Sequence, residues 1–423
     1  MKSIPKVHII GAGLSGLACA IYLTDSNYEI HLYDSASNAG GRCRSFHDDV
    51  LNCVIDNGNH LMLSGNKSVY DYLEKTGAKC ELTGPDRAIF PFVDLQTGKK
   101  WTVDIDEGRW PWWLLSTKKR PPSMNAWDVL NILKLITAGK RSSLGDIFDT
   151  ESQVFRQFWE PLAVGVLNTP AELGSAKLLA SVFRETFGRG GTACKPRMVK
   201  TGLSETFVQP ALNFLRQHNF TFRPHSRLRK ISNDGVSVTD LHFVDTHLRV
   251  LEEDKVVLAL PPYAVNTLIK GIKAPSQSYP IVNAHFIIDH DTNPIEESGL
   301  LGIVGGTAHW IFFKKNVLSA TVSAADDLTH QQSDQIANMI WQDIRRAING
   351  IQKETPELYR IVKERRATFA QTPDQLNFRA GTNCEFENMY LAGDWIDTGL
   401  PATIEGSIRS GILASQAIIN NES

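Results

Sequence analysis

Lys6-Val7-His8-Ile9-Ile10-Gly11-Ala12-Gly13-Leu14-Ser15-Gly16 is the stretch on which the fold turns. Its opening residues predict a buried strand over 6–10, and the Ala-, Leu- and Ile-rich run Leu14–Thr24 predicts a helix directly after it. Glu29–Tyr33 reads as a second strand, so the chain begins as a βαβ unit. The glycines at its first joint have separate tasks. Gly11 permits the tight turn, Gly13 lets a phosphate approach the backbone, and Gly16 lets the helix pack on the strand. The first helical residues, Leu14 and Ser15, then offer free backbone N–H groups to an anion. Asp34, followed by Ser35, ends the second strand 18 positions after Gly16, where a ribose hydroxyl needs an acceptor. A glycine-rich turn without a ligand is the alternative, and the acidic strand end favours a dinucleotide site of unspecified kind.

Working outward, the chain of 423 residues is long for one core, and two domains are expected. Lys and Arg number 44 against 46 Asp and Glu, a balance that gives no basis for nucleic-acid binding. Cys19, Cys43, Cys53, Cys80, Cys194 and Cys384 are scattered, with no paired or zinc-like spacing, so no metal site is expected. The expectation is a reduced cytoplasmic protein with no signal peptide and no membrane-spanning stretch.

Residues 60–80 carry a helical pattern, and residues 125–200 look mainly helical, broken at Pro161, Pro170 and the Gly188–Gly191 cluster. Between about 86 and 120 the chain changes character, with four tryptophans and then Lys118-Lys119-Arg120-Pro121-Pro122. Alternating strands are expected over 220–260, a mixed segment over 266–384, a strand at Met389–Ala392 and a helix starting near Thr403.

Gly40-Gly41-Arg42-Cys43-Arg44-Ser45 resembles the second fingerprint of the amine oxidase and phytoene desaturase flavoproteins. There the glycines allow close backbone approach and Arg42 would offset pyrophosphate charge. The resemblance implies non-covalent FAD. It implies that Asn57, Gly58 and Asn59 pass the flavin ring, and that Leu228 opens the strand whose backbone meets the adenine. It further implies that Gly393-Asp394 binds the ribityl or pyrophosphate region, and that Pro401-Ala402-Thr403 opens a helix facing the flavin's pyrimidine end. The implied fold is α/β: a Rossmann-like FAD-binding domain of the glutathione-reductase and amine-oxidase type, with a second mixed α+β substrate domain inserted. Residues 1–80, 203–265 and 385–423 would form the first, and 81–202 and 266–384 the second. Taken singly, Gly393-Asp394 could be any turn and Glu405 a helix cap. No second Gly-x-Gly-x-x-Gly precedes an acidic-tipped strand, and Gly302–Gly306 lacks that spacing, which argues against a two-nucleotide reductase. The electron donor is not named by the sequence.

Three stretches resemble a narrower family, the squalene-associated FAD-dependent desaturases: Asp56-Asn57-Gly58-Asn59-His60-Leu61-Met62-Leu63, with Asn59 in place of the usual Gln; Phe158-Trp159-Glu160-Pro161-Leu162 through Leu167-Asn168-Thr169-Pro170; and Gly393–Gly406. The likeness runs from residue 7 to about 415, weakest over about 85–125 and 275–380. The family's activity is hydroxysqualene dehydroxylation in squalene and hopanoid synthesis, so the implied substrate is a long isoprenoid lipid. His60 and Asp397 are the candidates for proton donor or cation stabiliser. The alternative for His60 is a backbone-bonded histidine, and for Asp397 a turn or cap residue. Phe158, Trp159, Phe183 and Phe187 are either core or the apolar wall of a lipid tunnel. Arg189, among glycines, either touches flavin or caps a turn. Trp110-Pro111-Trp112-Trp113-Leu114-Leu115 before Lys118-Lys119-Arg120 reads as a peripheral membrane contact or as a flap at the tunnel mouth. A carotenoid-type desaturase or amine oxidase and a flavin-free prenyl-lipid escort protein stand as other readings. The absence of Lys from Tyr279–Ile288 weakens the amine oxidase, and the intact glycine cradle weakens the escort protein.

Overall fold

The computed structural model describes residues 4–288, 295 and 298–421. Strand Lys6–Ile10 lies at the centre of a five-stranded, all-parallel sheet in the order Phe220–Arg223, Glu29–Tyr33, Lys6–Ile10, Lys255–Leu258, Met389–Leu391. Its side chains alternate between faces, as strand geometry requires. Val7 and Ile9, with Ile30, Leu32 and Val257, join the core under the helices Leu14–Leu23 and Ile404–Asn420. Ile10, with Tyr33, Val256 and Leu258, faces the opposite way, onto Leu241, Phe243 and Val250. Those residues belong to or flank a three-stranded antiparallel sheet, Leu228–Asn233, Val238–Phe243 and His247–Arg249. Burial on both faces explains why the central strands read as nearly unbroken apolar runs.

The second sheet has seven strands, in the order Tyr359–Phe369, Ser278–Ile287, Val317–Ser323, Trp310–Lys314, Leu300–Val304, Ala88–Asp94, Lys100–Ile105. One pairing in it, Leu300–Val304 with Ala88–Asp94, is parallel. Helix Ser333–Ala347 covers one part through Ile336, Ile340, Trp341 and Ile344. Helices Glu160–Leu167 and Ala176–Glu185 pack with Phe90, Phe92 and Trp101 at the other end.

Two local expectations need correction, and the 86–120 segment, which the sequence leaves without an assigned element, acquires one. The 86–120 segment contains a β-hairpin whose side chains alternate in burial. Its pattern is disguised by Pro91, which sits one residue beyond the parallel ladder that starts at Phe92. The helix of the 60–80 region is confined to Lys67–Lys75, because Met62–Leu63 pairs as a short strand with Pro196–Arg197 and Gly77, at φ +75°, ends the helix. Pro161 does not break its helix: helical backbone runs without interruption from residue 153 to Leu167, and a π-helical turn at Phe155–Trp159, directly before Glu160–Leu167, widens the backbone where the proline lacks its N–H. The helix stops at Asn168 in the left-handed conformation (φ 44°).

Helices Leu14–Leu23 and Ile404–Asn420 approach each other through Gly411, where an added Cβ would lie 2.2 Å from the Ser15 carbonyl oxygen and 2.8 Å from the Ala18 Cβ. Gly411→Leu is expected to destabilise the protein by roughly 1–3 kcal/mol through overpacking. Urea unfolding measures this, and an unchanged midpoint would show that the helix pair tolerates separation.

Candidate active site

The site forms where the carboxyl ends of the parallel strands meet helix N-termini. Gly11 has φ +108°, and a Cβ on it would stand 2.2 Å from the Ala259 carbonyl oxygen. A Cβ on Gly16 would stand 1.9 Å from the carbonyl oxygen of Gly11. Both glycines are thus demanded by backbone packing. Gly13 differs, since a Cβ there meets nothing within 4 Å. Facing it is Gly41, whose Cβ would lie 3.4 Å from the Gly13 Cα, and Gly13 bridges to Gly40 in parallel fashion. The two glycine turns therefore pack against each other, and the open space of the site lies beside Gly13.

Helix capping distinguishes that space. Helix Ile404–Asn420 is capped by Thr403, whose Oγ1 accepts from the Gly406 N–H at 3.1 Å. Helix Lys67–Lys75 is capped by buried Glu405, which accepts from the N–H groups of Ser68 (3.0 Å) and Val69 (2.9 Å). Helix Leu14–Leu23 starts at Gly13 with no capping side chain and no acidic residue in its first turn. Its first N–H groups, those of Leu14 and Ser15 included, are the ones left for an anion.

Asp34 accepts at 2.7 Å from the Ala12 N–H and at 2.8 Å from the Ala36 N–H, which fixes its carboxylate at the end of the second strand. Ser35 beside it is exposed. The backbone oxygen of Asp34 accepts from Ser226 N–H at 2.6 Å, drawing the chain that enters the strand at Leu228 to the same end of the sheet. Arg42 pairs with buried Asp394 at 2.9 Å and also donates to the Ala367 carbonyl. Asp394 is the largest influence on Arg42 and raises its pKa, with burial opposing it. Gly393, at φ +146°, donates to the Ser410 hydroxyl at 2.9 Å. Ala402 N–H donates to the Gln371 side-chain oxygen at 2.8 Å, which fixes the Pro401-Ala402-Thr403 turn.

The Asn57–His60 loop is laced to the second sheet. Asn57 donates to the Arg42 carbonyl (3.2 Å) and accepts at its own carbonyl from Asn283 (3.3 Å). Thr321 donates to Asn283 at 2.8 Å, and Asn59 donates to Thr321 at 3.0 Å. Gly58 lies against Asn283. His60 is half-buried and has no hydrogen bond to another described residue. Burial lowers its pKa, with the Asp56 carboxylate opposing.

Asp397 is placed differently. Its carboxylate is half exposed, accepts from the Gly399 N–H at 3.2 Å, and stands 3.8 Å from Arg379. That is the setting of a turn residue; a proton donor for a lipid needs a water-poor environment. Phe158, Trp159 and Phe183 are core: Trp159 stacks on Phe148 at 4.4 Å and lies 5.4 Å from Phe183. Phe187 stacks on Phe183 at 4.4 Å but remains half-buried, at the edge of the cluster with Leu61, Leu63 and Trp310. Sequence reasoning missed Ala367, Gln371, Asn283 and Thr321. They lie on or beside strands of the second sheet, whose polar pattern gives no motif.

A family model described as flavin containing amine oxidoreductase matches residues 14–419. A hydroxysqualene dehydroxylase from Sinorhizobium fredii is 41% identical over 418 residues, covering 99% of both chains. Another so named, from Zymomonas mobilis, is 39% identical over 98% of this chain and 99% of its own. Among solved structures, a putative protoporphyrinogen oxidase from an Exiguobacterium species superposes with a TM-score of 0.71 at 16% identity, covering all of both chains, and shares the fold.

The residues present fit FAD. Open space beside Gly13 where two glycine turns meet, an uncapped helix N-terminus, a fixed carboxylate at the second strand and a charged guanidinium match a pyrophosphate flanked by ribose. Arg42→Lys keeps the charge but leaves one nitrogen in place of three, and in Arg42 the Nη1 alone already serves Asp394 and Ala367. Flavin retained after purification, read from visible absorbance, is expected to fall about ten-fold, the scale of one lost charge-assisted contact. Wild-type flavin content in this variant would remove Arg42 from the cofactor set.

Proposed function

The chain belongs to the flavin containing amine oxidoreductase family, and from that premise we propose that it is a hydroxysqualene dehydroxylase. The observation that carries the reading is 41% identity to a relative of that name across 99% of both chains. The reaction breaks the allylic C–O bond of hydroxysqualene. The departing hydroxyl takes a proton and leaves as water, and a hydride closes the cation to give squalene. When bound, reduced FAD supplies that hydride.

The protein's part is to hold the lipid, exclude water and deliver the proton. His60, with no hydrogen bond to another described residue, is the proposed proton donor. Half-buried Leu61, Leu63, Phe187 and Trp310 are the proposed apolar wall, backed by Phe158, Trp159 and Phe183. Asp397 is proposed to act on the turn before the C-terminal helix, through Arg379, and not on substrate. Because His60 is shifted below its ordinary value of 6.5, it is mostly uncharged at neutral pH and gains its proton as pH falls. Anaerobically reduced protein given hydroxysqualene is expected to reoxidise with stoichiometric squalene. The rate should rise as pH falls through the lowered pKa, and His60→Gln should flatten the profile. Flavin that stays reduced, or that is reduced by a polyene or an amine, would sink the dehydroxylase in favour of an oxidative relative.

The substrate's hydrophobicity calls for a membrane contact, and the proposed one begins with Trp110, Trp112 and Leu115, which are 72%, 62% and 61% exposed. Trp113 and Leu114 of the same run are buried and anchor it. Trp127, Leu130 and Leu133 add exposed apolar surface nearby in sequence. Residues 109–141 hold seven basic side chains and one acidic one, Asp128, which is buried. Aromatic and basic residues together suit the headgroup zone of an anionic leaflet. Among the described residues no helix is long and apolar enough to cross a membrane. Trp110→Ser with Trp112→Ser is expected to lower flotation with anionic vesicles about ten-fold while flavin content holds. Unchanged flotation would leave the run as a flap over the site.

A further inference from the structure

A cavity of about 620 Å³ is lined by Ser64, Lys67, Tyr70, Glu107, Arg109, Arg189 and Thr192 among others. It shares no residue with the cofactor set. Its walls come from three distant segments locked together by backbone. Gly191 N–H donates to the Asp106 oxygen at 2.7 Å, and Gly65 N–H to the Ala193 oxygen at 2.9 Å. Gly190, at φ +82°, lies so close to the 107–108 turn that a Cβ would stand 2.2 Å from the Gly108 oxygen. The cavity is therefore part of the fold, not a gap between mobile side chains.

The charges at its rim are unbalanced, with exposed Lys67, Arg109 and Arg189 against one carboxylate, Glu107. The Glu107 carboxylate has Lys195 as partner at 3.7 Å. The side chains of Lys67, Arg109 and Arg189 make no hydrogen bond or ion pair among the described residues. The Tyr70 hydroxyl lines the same cavity. Two guanidinium forks, an ammonium and a hydroxyl line one cavity against a single carboxylate, Glu107, which Lys195 already faces, so donors exceed acceptors. Such a set matches a tetrahedral oxyanion, whose oxygens accept from several directions at once. Arg109 is followed directly by Trp110, so an anion held here would sit beside the exposed apolar surface.

We propose that this cavity binds a phosphate-bearing anion, with Lys67, Arg109 and Arg189 as its cationic ligands. The phosphate belongs either to a phospholipid headgroup or to a soluble phosphate ester, and the two sources are separable. The flavin-loaded protein is titrated calorimetrically with glycerol 3-phosphate, and its flotation is measured on phosphatidylcholine vesicles with and without phosphatidylglycerol. Arg109→Glu with Arg189→Glu is compared with Lys270→Glu with Lys273→Glu, an exposed pair of equal charge change outside both the cavity and the 109–141 surface, and flavin content confirms folding of both. Wild-type protein is expected to bind at least one probe saturably. The cavity variant should lose at least about ten-fold in that binding, clearly more than the control. Loss confined to glycerol 3-phosphate identifies a soluble ligand, and loss on phosphatidylglycerol vesicles identifies a headgroup. No saturable binding of either probe by wild type, or equal losses in the two variants, overturns the proposal. Binding is read without turnover, so failure here leaves the proposed dehydroxylation untouched.

Discussion

The contact on which the rest depends is a backbone one, the packing of Gly11, Gly16 and Ala259. The carbonyl oxygen of Gly11 occupies the place a Gly16 side chain would need, and the carbonyl of Ala259 occupies the place of a side chain on Gly11. That approach brings the first helix down onto the first strand and seats the strand Lys255–Leu258 beside it. It also aims the N–H groups of the first helical turn at the gap beside Gly13. A methyl group at either glycine would push these layers apart, since close-packed interiors do not deform smoothly. Everything cofactor-related is hung on this joint.

Around it, polar contacts between remote parts of the chain complete the site. Arg42 reaches Asp394 and Ala367, tying the second glycine turn to both the last strand of the parallel sheet and the edge of the second sheet. Glu405 reaches back to cap helix Lys67–Lys75 and also meets Arg409 at 2.9 Å. Asn283 and Thr321 hold the Asn57–Asn59 loop from the opposite side. Each contact satisfies a polar group that closure of the fold would otherwise strand, and unmade hydrogen bonds in such places cost more than made ones contribute. The first helix has no such cap, and its free N–H groups face the open space beside Gly13.

The surface follows a different logic. Within Trp110–Leu115 a single 3₁₀ turn, Trp112–Leu115, sends Trp113 and Leu114 into the core and leaves Trp110, Trp112 and Leu115 outside. Inward residues fix the loop rigidly enough for outward ones to present a defined apolar face. The cavity beside it owes its form to backbone contacts at Gly65, Gly190 and Gly191, and its charge to side chains with no internal partner.

The sequence by itself determined what depends on local chemistry. The Gly11–Gly16 turn, the strand end at Tyr33, the acidic Asp34 and the helix start near Thr403 are visible because turn conformation, period-two burial and helix-start signals act over a few residues. Family motifs extended that reach to Arg42 and Gly393-Asp394. Tertiary structure alone decided which apolar residues are core. Phe158, Trp159 and Phe183 share one spacing with Phe187, yet only Phe187 stays at the cluster's edge. It alone separated His60, half-buried in a low-polarity setting, from Asp397, turned toward solvent, although both stand in equally recognisable motifs. Glu405 reads locally as a cap for its own helix, and in the fold it caps another. The reason is common to all of these: burial and partnership are set by segments far apart in sequence, and no local pattern encodes which of two similar side chains another segment will cover.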